Sequence, residues 1–250
     1  QGYPTLVILD SDRHEIMRLG AGRDVSQYAA VLQLALQQLE PIDVLLQSAA
    51  AGGSLSAEAC RRLAYNSWDL DTVEPRRYGE RAAQLAAAAR ACPADAAVER
   101  ADLVIYAAGY AADAALIDQV AQILAQPGLA HASAGALQTL GADFFSAVRQ
   151  RGPRFAAQLR ERYVAAMDAA AGDPQYVEAD QLGFIDAKIL ALTATGGPHF
   201  ELPAPLLAAA DRRIDAALGA EQDPYVRPGL VNAALNILED GGQYSRAYAV

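Results

Sequence analysis

The sequence predicts a small α/β part over the first forty residues, a hairpin followed by a helix, and an all-α region over the rest of the chain. Two observations support this. Runs of β-forming residues with the length of strands occur only before residue 20. Beyond that point Ala-rich stretches follow one another, with prolines near their starts and glycines near their ends. We therefore expect a multi-helix solenoid or an irregular bundle after a small sheet.

The first elements are predicted in the order strand, strand, helix. Leu6–Leu9 are four apolar residues that favour a buried strand, and a polar turn follows them. Glu15–Leu19 form a second short strand that ends at a glycine. Residues 24–39 carry apolar side chains at helical spacing and predict an amphipathic helix. Because a hairpin and one helix cannot bury both faces of the strands, this part needs more sheet.

These elements, in this order and spacing, resemble the C-terminal half of a thioredoxin domain. That family has Gly-x-Pro-Thr before an apolar strand, then a charged turn, a second strand ending in glycine, and an amphipathic helix; residues 1–40 contain this series. The resemblance implies a cis bond between Tyr3 and Pro4, which is uncommon outside such sites. It also implies a groove for protein substrates, with walls formed by Tyr3, Pro4, Thr5, Leu19, Gly20 and Ala21.

The reactive Cys-x-x-Cys of a thioredoxin lies in the other half of the domain, and this chain contains no such motif. The resemblance therefore implies a fragment of a thiol–disulfide oxidoreductase that has no catalytic residue of its own. We expect the chain alone to be inactive and to use no cofactor or metal. We also expect the outer edge of Leu6–Leu9 to be covered by the missing N-terminal half or by a second copy, because a bare strand edge is a template for pairing.

The best domain boundary is predicted at Gly52-Gly53-Ser54, a breaker segment between helical patterns. It separates a linker with a short helix, 41–53, from a helical domain, 54–250. Small-plus-aromatic segments at 63–68 and 103–108 loosely resemble tetratricopeptide helices, without a common register. Helices are predicted at 42–51, 57–67, 75–91, 93–108, 113–125, 129–150, 153–171, 175–194, 204–218 and 225–239.

The two cysteines, Cys60 and Cys92, are too far apart in sequence to form a redox motif. They have two interpretations. They could close a structural disulfide between neighbouring helices in an oxidising compartment. They could equally be two buried thiols that behave as small apolar side chains.

The formal net charge of −10 argues against nucleic acid and against an anionic membrane surface as partners. No apolar run reaches the length of a membrane span, so we expect no membrane insertion. The near absence of lysine beside nineteen arginines indicates a GC-rich, bacterial genome. We expect a periplasmic or otherwise extracytoplasmic protein, since a long helical tail suits an envelope protein, with the cytoplasm as the alternative.

A search for independent chemistry finds no nucleophile elbow, phosphate loop or dinucleotide motif. The histidines share no metal-ligand spacing with acids or cysteines, so each is expected to be a surface or a hydrogen-bonded residue: His14, His131 and His199. Three carboxylates form an acidic loop after Trp68, expected to be solvated or else a cation- or peptide-binding edge: Asp69, Asp71 and Glu74.

Two classes of function remain. The first is a thioredoxin-family thiol–disulfide oxidoreductase whose helical domain binds protein clients or partners. The second is a non-catalytic helical adaptor or holdase, or an inhibitor-type interaction protein, in which the thioredoxin-like part serves only for docking. A Cys-x-x-Cys encoded before Gln1 would select the first class.

Overall fold

The computed structural model describes residues 6–20, 29, 32–33, 36, 40–70, 73–196, 200–223 and 226–247, with the side chains of residues 69 and 245 left out. The chain forms two compact units, Gln1–Ile123 and Leu124–Val250. It is mostly helical, and a two-stranded antiparallel sheet precedes the helices. The predicted fold class is confirmed at this level: a small sheet, then a multi-helix region.

The sheet consists of β1, Leu6–Leu9, and β2, Glu15–Leu19. Both strands have the predicted bounds. They pair antiparallel from Leu6 opposite Leu19 to Leu9 opposite Glu15. The turn between them is held by Asp10, whose Oδ1 accepts the backbone N–H groups of residues 12 and 14 at 2.9 and 2.7 Å. A carboxylate that accepts local backbone donors is a common way to close a polar turn.

The prediction that β1 is the buried strand is wrong. Three side chains of β2, Ile16, Met17 and Leu19, are at most 2% exposed. Leu6 and Leu9 of β1 are 42% and 49% exposed. The physical reason is position: the helical region packs on β2, and β1 is paired only with β2 among the described residues.

From residue 40 onward, the described residues of the first unit form five helices beside the sheet. Helix α3 packs against both α1 and α4, α4 also packs against α2, and α1 contacts β2. Helix α2 begins at Ser56, whose hydroxyl accepts the N–H of Ala59 at 3.1 Å and so satisfies a free donor of the first turn. Short 3-10 turns lie at Trp68–Leu70 and Pro75–Arg77. The helices are α1 Ile42–Ala50, α2 Ala57–Tyr65, α3 Tyr78–Ala91, α4 Ala97–Tyr110 and α5 Ala114–Leu124.

The Gly52-Gly53 pair ends α1 but does not separate the compact units. Gly52 has φ +88°, which favours glycine, and a Cβ on Gly53 would lie 2.9 Å from the carbonyl oxygen of Ser48. Because α1 packs on α3, this turn lies inside the first unit. The division into compact units follows Ile123, and the domain boundary at residue 53 stays a prediction.

Cys60 and Cys92 are joined by a disulfide, the first of the two interpretations of the sequence. Cys60 lies on α2 and Cys92 directly follows α3, with 5.8 Å between their Cα atoms. Their side chains are buried, at 0% and 6% exposure. Close by, the N–H of Leu55 donates to the carbonyl of Ala91 at 3.0 Å. The disulfide therefore links the first half of α2 to the end of α3.

The second unit is entirely helical where it is described, and α10 is its centre because α8, α9, α11 and α12 all pack against it. The single helix predicted at 129–150 is three helices. Ser133 and the extended backbone of Gly141 interrupt it, since both residues are poor helix formers. The helices are α6 Pro127–Ala132, α7 Ala134–Leu137, α8 Ala142–Gln150, α9 Pro153–Ala171, α10 Glu178–Gly196, α11 Ala204–Ala220, α12 Arg227–Asp240 and α13 Tyr244–Ala247.

The helix predicted at 24–39 lies largely outside the described residues. The four positions that are described there, Ala29, Leu32, Gln33 and Leu36, are all helical. Leu36 is 72% exposed.

Replacing both cysteines by serine should lower the free energy of unfolding by about 3–4 kcal/mol, the value expected for removing a cross-link that closes a loop of this length. Urea unfolding of the oxidised wild type and of Cys60→Ser/Cys92→Ser measures the difference. Reductant should destabilise the wild type by a similar amount and leave the double variant unchanged. Equal stability of the two proteins would show that the bond contributes nothing.

Candidate functional site

Four of the six residues predicted to line a substrate groove lie outside the described residues: Tyr3, Pro4, Thr5 and Ala21. The predicted cis bond before Pro4 lies outside them too. Of the other two, Leu19 is fully buried, so its side chain supports the sheet. The N–H of Gly20 donates to the hydroxyl of Ser67 at 2.8 Å. The structure thus brings these two residues against the segment that follows α2, and the groove itself stays a prediction.

The outer side of β2 is covered by the segment Asn66–Ser67. The N–H of Arg18 donates to Oδ1 of Asn66 at 2.7 Å, and the N–H of Ser67 donates to the carbonyl of Arg18 at 3.0 Å. Sequence reasoning missed this contact because the covering residues do not have the pattern of a strand and lie about fifty positions away. Together with β1, this segment flanks β2 on both sides.

The outer edge of β1 is open among the described residues. Its backbone is paired only with β2, and its side chains are apolar. Leu6, Val7 and Leu9 are 42%, 37% and 49% exposed. Exposed apolar residues on an edge strand are unusual in a soluble protein, because such an edge pairs readily with another strand. This edge is the first candidate site.

The disulfide is not a candidate for thiol exchange. Both cysteines are buried in the bond, and the described residues include no free cysteine. An exchange reaction needs an accessible thiolate to attack a sulfur atom.

The second candidate site is a cavity of about 430 Å³ in the first unit. It lies beside β2, the start of α1, and the segment between α2 and α3. Four arginines face three carboxylates around it, and apolar walls complete it. The lining residues are Glu15, Arg18, Ile42, Asp43, Asn66, Trp68, Val73, Glu74, Arg76, Arg77 and Arg81. We call it the arginine pocket.

The inner part of the arginine pocket is rigidly built. Trp68, only 4% exposed, donates from its indole N–H to the carbonyl of Leu63 at 2.8 Å. The guanidinium of Arg81 lies 5.4 Å from the Trp68 ring centre, within cation–π range. The guanidinium of Arg18 donates a hydrogen bond to each carboxylate oxygen of Glu15, at 3.0 and 2.6 Å. The Arg18 and Arg81 side chains are 14% and 13% exposed.

The rim of the arginine pocket is open to solvent. Arg76 and Arg77 have 80% and 57% exposed side chains. Arg76 forms an ion pair with Glu74, and Arg77 forms one with Glu80. The hydrogen bonds and the charge of Arg77 lower the pKa of Glu80. The predicted acidic loop is therefore a mixed rim: Glu74 lies on it, whereas Asp71 is outside the described residues.

The hairpin turn brings together Asp10, Asp12 and His14, whose potential ligand atoms lie within 4.8 Å of one another. The sequence-based statement that no histidine shares ligand spacing with acids is wrong here, since the three occupy alternate positions. The hydrogen bonds that close the turn already explain why these three side chains lie close together. Asp10 accepts two backbone N–H groups through Oδ1, and its Oδ2 lies 3.0 Å from Nδ1 of His14. These bonds lower the pKa of Asp10.

In the second unit His131 is a bonded histidine, as expected of a structural one. Its Nε2 lies 2.8 Å from Oδ2 of Asp173. Tyr176 donates to the carbonyl of His131 at 3.3 Å and packs edge-on against its ring. The network ties α6 to the turn between α9 and α10. His199 lies outside the described residues.

The second unit also contains an acid in an apolar setting. Asp186 lies on α10, and its Oδ1 is buried with no hydrogen-bond partner among the described residues. Burial, and secondarily the charge of Asp240, raises the pKa of Asp186 to about 7. Asp186 in turn raises the pKa of the buried Tyr163, an effect added to that of burial itself. Near neutral pH this carboxyl group is therefore half protonated.

Comparisons with known proteins do not place the chain in a family. No family model, no curated protein and no solved structure matches it. None of the helices in the described ranges combines the length and the apolar character needed to cross a bilayer. A functional assignment therefore depends on the two sites described above.

Changing Asp186 to Asn should stabilise the second unit at pH 8 and reduce the pH dependence of its stability. Because the folded-state pKa is raised, the folded protein holds a proton that the unfolded chain has lost. Stability therefore falls as pH rises from about 4 through about 7, by about 2–4 kcal/mol for a shift of this size. Urea unfolding at pH 5 and pH 8 should show that slope in the wild type and a clearly smaller one in Asp186→Asn, in which Asp240, whose pKa burial also raises, still titrates.

The matched control is Asp143→Asn, at an exposed aspartate in the first turn of α8. In this variant the free energy of unfolding should change between pH 5 and pH 8 as it does in the wild type. The same slope in Asp186→Asn as in the wild type would contradict the assignment of the titration to Asp186.

Proposed function

We propose that residues 1–40 are the C-terminal half of a thioredoxin-like domain and that the protein acts in thiol–disulfide chemistry on protein clients. In this proposal a Cys-x-x-Cys half supplies the nucleophile and completes the sheet, and the helical units bind clients or partners. The proposal rests on the order and spacing of the elements in residues 1–40, in which both strands lie at the residues that the resemblance predicts.

The proposal predicts an occupant for the edge of β1 that is open among the described residues. In a thioredoxin-like sheet this strand would have a neighbour on each side, and its side chains would be buried between layers. In the part of the chain that the structure describes, β1 has one neighbouring strand and apolar side chains in solvent, as expected of a sheet that lacks strands. The occupant we propose is an extended apolar strand, and the antiparallel partner β2 already closes the other side.

A second candidate function, a non-catalytic adaptor or holdase, is favoured by the cysteines. Both are held in a buried disulfide, so the described residues offer binding surfaces and no reactive thiol. In this alternative the open edge receives a strand of the partner by β-augmentation. The two candidate functions differ only in whether the polypeptide that completes the sheet carries a reactive Cys-x-x-Cys.

Adding a thioredoxin N-terminal half that carries Cys-x-x-Cys should protect the amides of Leu6–Leu9 from hydrogen exchange. Leu9→Lys should weaken this complex at least tenfold, because a charge on an edge strand opposes pairing. Lys at this position faces Glu15 in the register, so the hairpin itself should survive.

The control for that experiment is Val44→Lys on α1, since Val44 is 43% exposed and Leu9 49%. It should bind as the wild type does. Self-association of the chain alone, lost in Leu9→Lys and kept in Val44→Lys, would identify a second copy as the occupant. A monodisperse monomer whose β1 amides are not protected by the added half would refute the proposal.

The chain alone should not accelerate the reduction of insulin by dithiothreitol, since its cysteines are buried in a bond. Acceleration should appear only when the Cys-x-x-Cys half is added, and should then be lost with Leu9→Lys. Binding without acceleration would select the adaptor. Activity of the chain alone that disappears in Cys60→Ser/Cys92→Ser would show that the disulfide is reactive.

A further inference from the structure

We propose that the arginine pocket binds a carboxylate group of a partner polypeptide, either an acidic side chain or a free C-terminus. The proposal is independent of the β1 edge and of any redox function. It assigns a ligand class to a cavity of about 430 Å³ that has a fixed aromatic floor and a charged, solvent-exposed rim.

The carboxylate specificity follows from the guanidinium groups. Four of the nineteen arginines of an acidic chain line this single cavity. A guanidinium presents paired N–H donors that match the two oxygens of a carboxylate, and such charge-assisted bonds are about twice as strong as neutral ones. One such pair is already present in the pocket, where the guanidinium of Arg18 donates to both carboxylate oxygens of Glu15.

The arginines divide into two that are fixed and two that can receive a ligand. Arg18 and Arg81 are largely buried and are bonded to groups of the protein, which keeps them in place. Arg76 and Arg77 extend into solvent, where their pairs with Glu74 and Glu80 are worth little. The carboxylate of a ligand can therefore replace Glu74 or Glu80 as the partner of these arginines at a small cost in free energy. The inner arginines keep partners of their own, Glu15 for Arg18 and Asp43 for Arg81.

A polypeptide fits the rest of the lining better than a small inorganic anion. Beside the arginines are the apolar side chains of Ile42 and Val73, together with the indole of Trp68. The carboxylates of Asp43 and Glu74 offer acceptors for peptide N–H groups. The volume falls in the range of pockets that enclose small organic ligands or a few peptide residues, several times the space of a single phosphate. A pocket with apolar walls, arginines and carboxylates can therefore contact both the side chain and the backbone of an acidic residue.

Trp68 provides the measurement, because it is the only tryptophan of the chain and lies in the pocket. Its fluorescence is followed while four acetylated tripeptides, Ala-Leu-Glu and Ala-Leu-Gln, each as the free acid and as the C-terminal amide, are added to the intact protein. We expect a saturable change with the peptides that carry a carboxylate and none with the uncharged Ala-Leu-Gln amide. Comparing the Glu amide with the Gln free acid shows which kind of carboxylate binds better.

Arg76→Gln/Arg77→Gln should weaken binding at least tenfold, a loss of about 1.4 kcal/mol. Both residues are exposed, so the variant should fold. The control, Arg90→Gln/Arg100→Gln, removes the same charge from exposed arginines on α3 and α4 and should bind like the wild type.

Four results would overturn the proposal. They are no fluorescence change with any acid up to about 10 mM, equal response to the uncharged amide, equal weakening by the control variant, and competition by inorganic phosphate as strong as that of the acidic peptides.

Discussion

The first unit depends on the way strand β2 is enclosed. On one side β2 pairs with β1, and on the other Arg18 donates a hydrogen bond to Asn66 and accepts one from Ser67. Its apolar side chains are buried by the helices. A two-stranded hairpin has little stability in water by itself. The hairpin is therefore stable only when the segment after α2 is in place, and this contact joins residues that are far apart in the sequence.

The disulfide acts on the same part of the unit. It joins α2 to the end of α3, and α3 carries Arg81 beneath Trp68. Tyr110 of α4 donates to the carbonyl of Trp68 at 2.8 Å. The helix that leads into the segment covering β2 is thus cross-linked to α3, and the residue directly after the segment is hydrogen-bonded to α4. We infer that the same framework keeps the arginine pocket in shape, because Trp68 forms its floor.

The unit therefore combines a closed interior with two open surfaces of different chemistry. Among the described residues the backbone of β1 pairs only with β2, and its exposed apolar side chains suit an extended strand as ligand. The arginine pocket offers guanidinium groups in a chain that is acidic as a whole. A net negative protein repels acidic partners at long range, so selection at this pocket depends on short-range bonding. For both surfaces we propose polypeptide ligands, and at neither does the proposed binding use a cysteine side chain as a contact.

The sequence by itself determined the local structure. The β-formers at Leu6–Leu9, the polar turn and the caps and prolines of the helices act over a few residues, so the strands and most helix bounds could be predicted. The tertiary structure decided which strand is buried, because that depends on which one the helices reach. It also decided that Gly52-Gly53 turns the chain inside a unit, that Cys60 meets Cys92, and that arginines from β2 and α3 converge on Trp68. Each of these outcomes is a contact between distant residues, and no local pattern records such a contact.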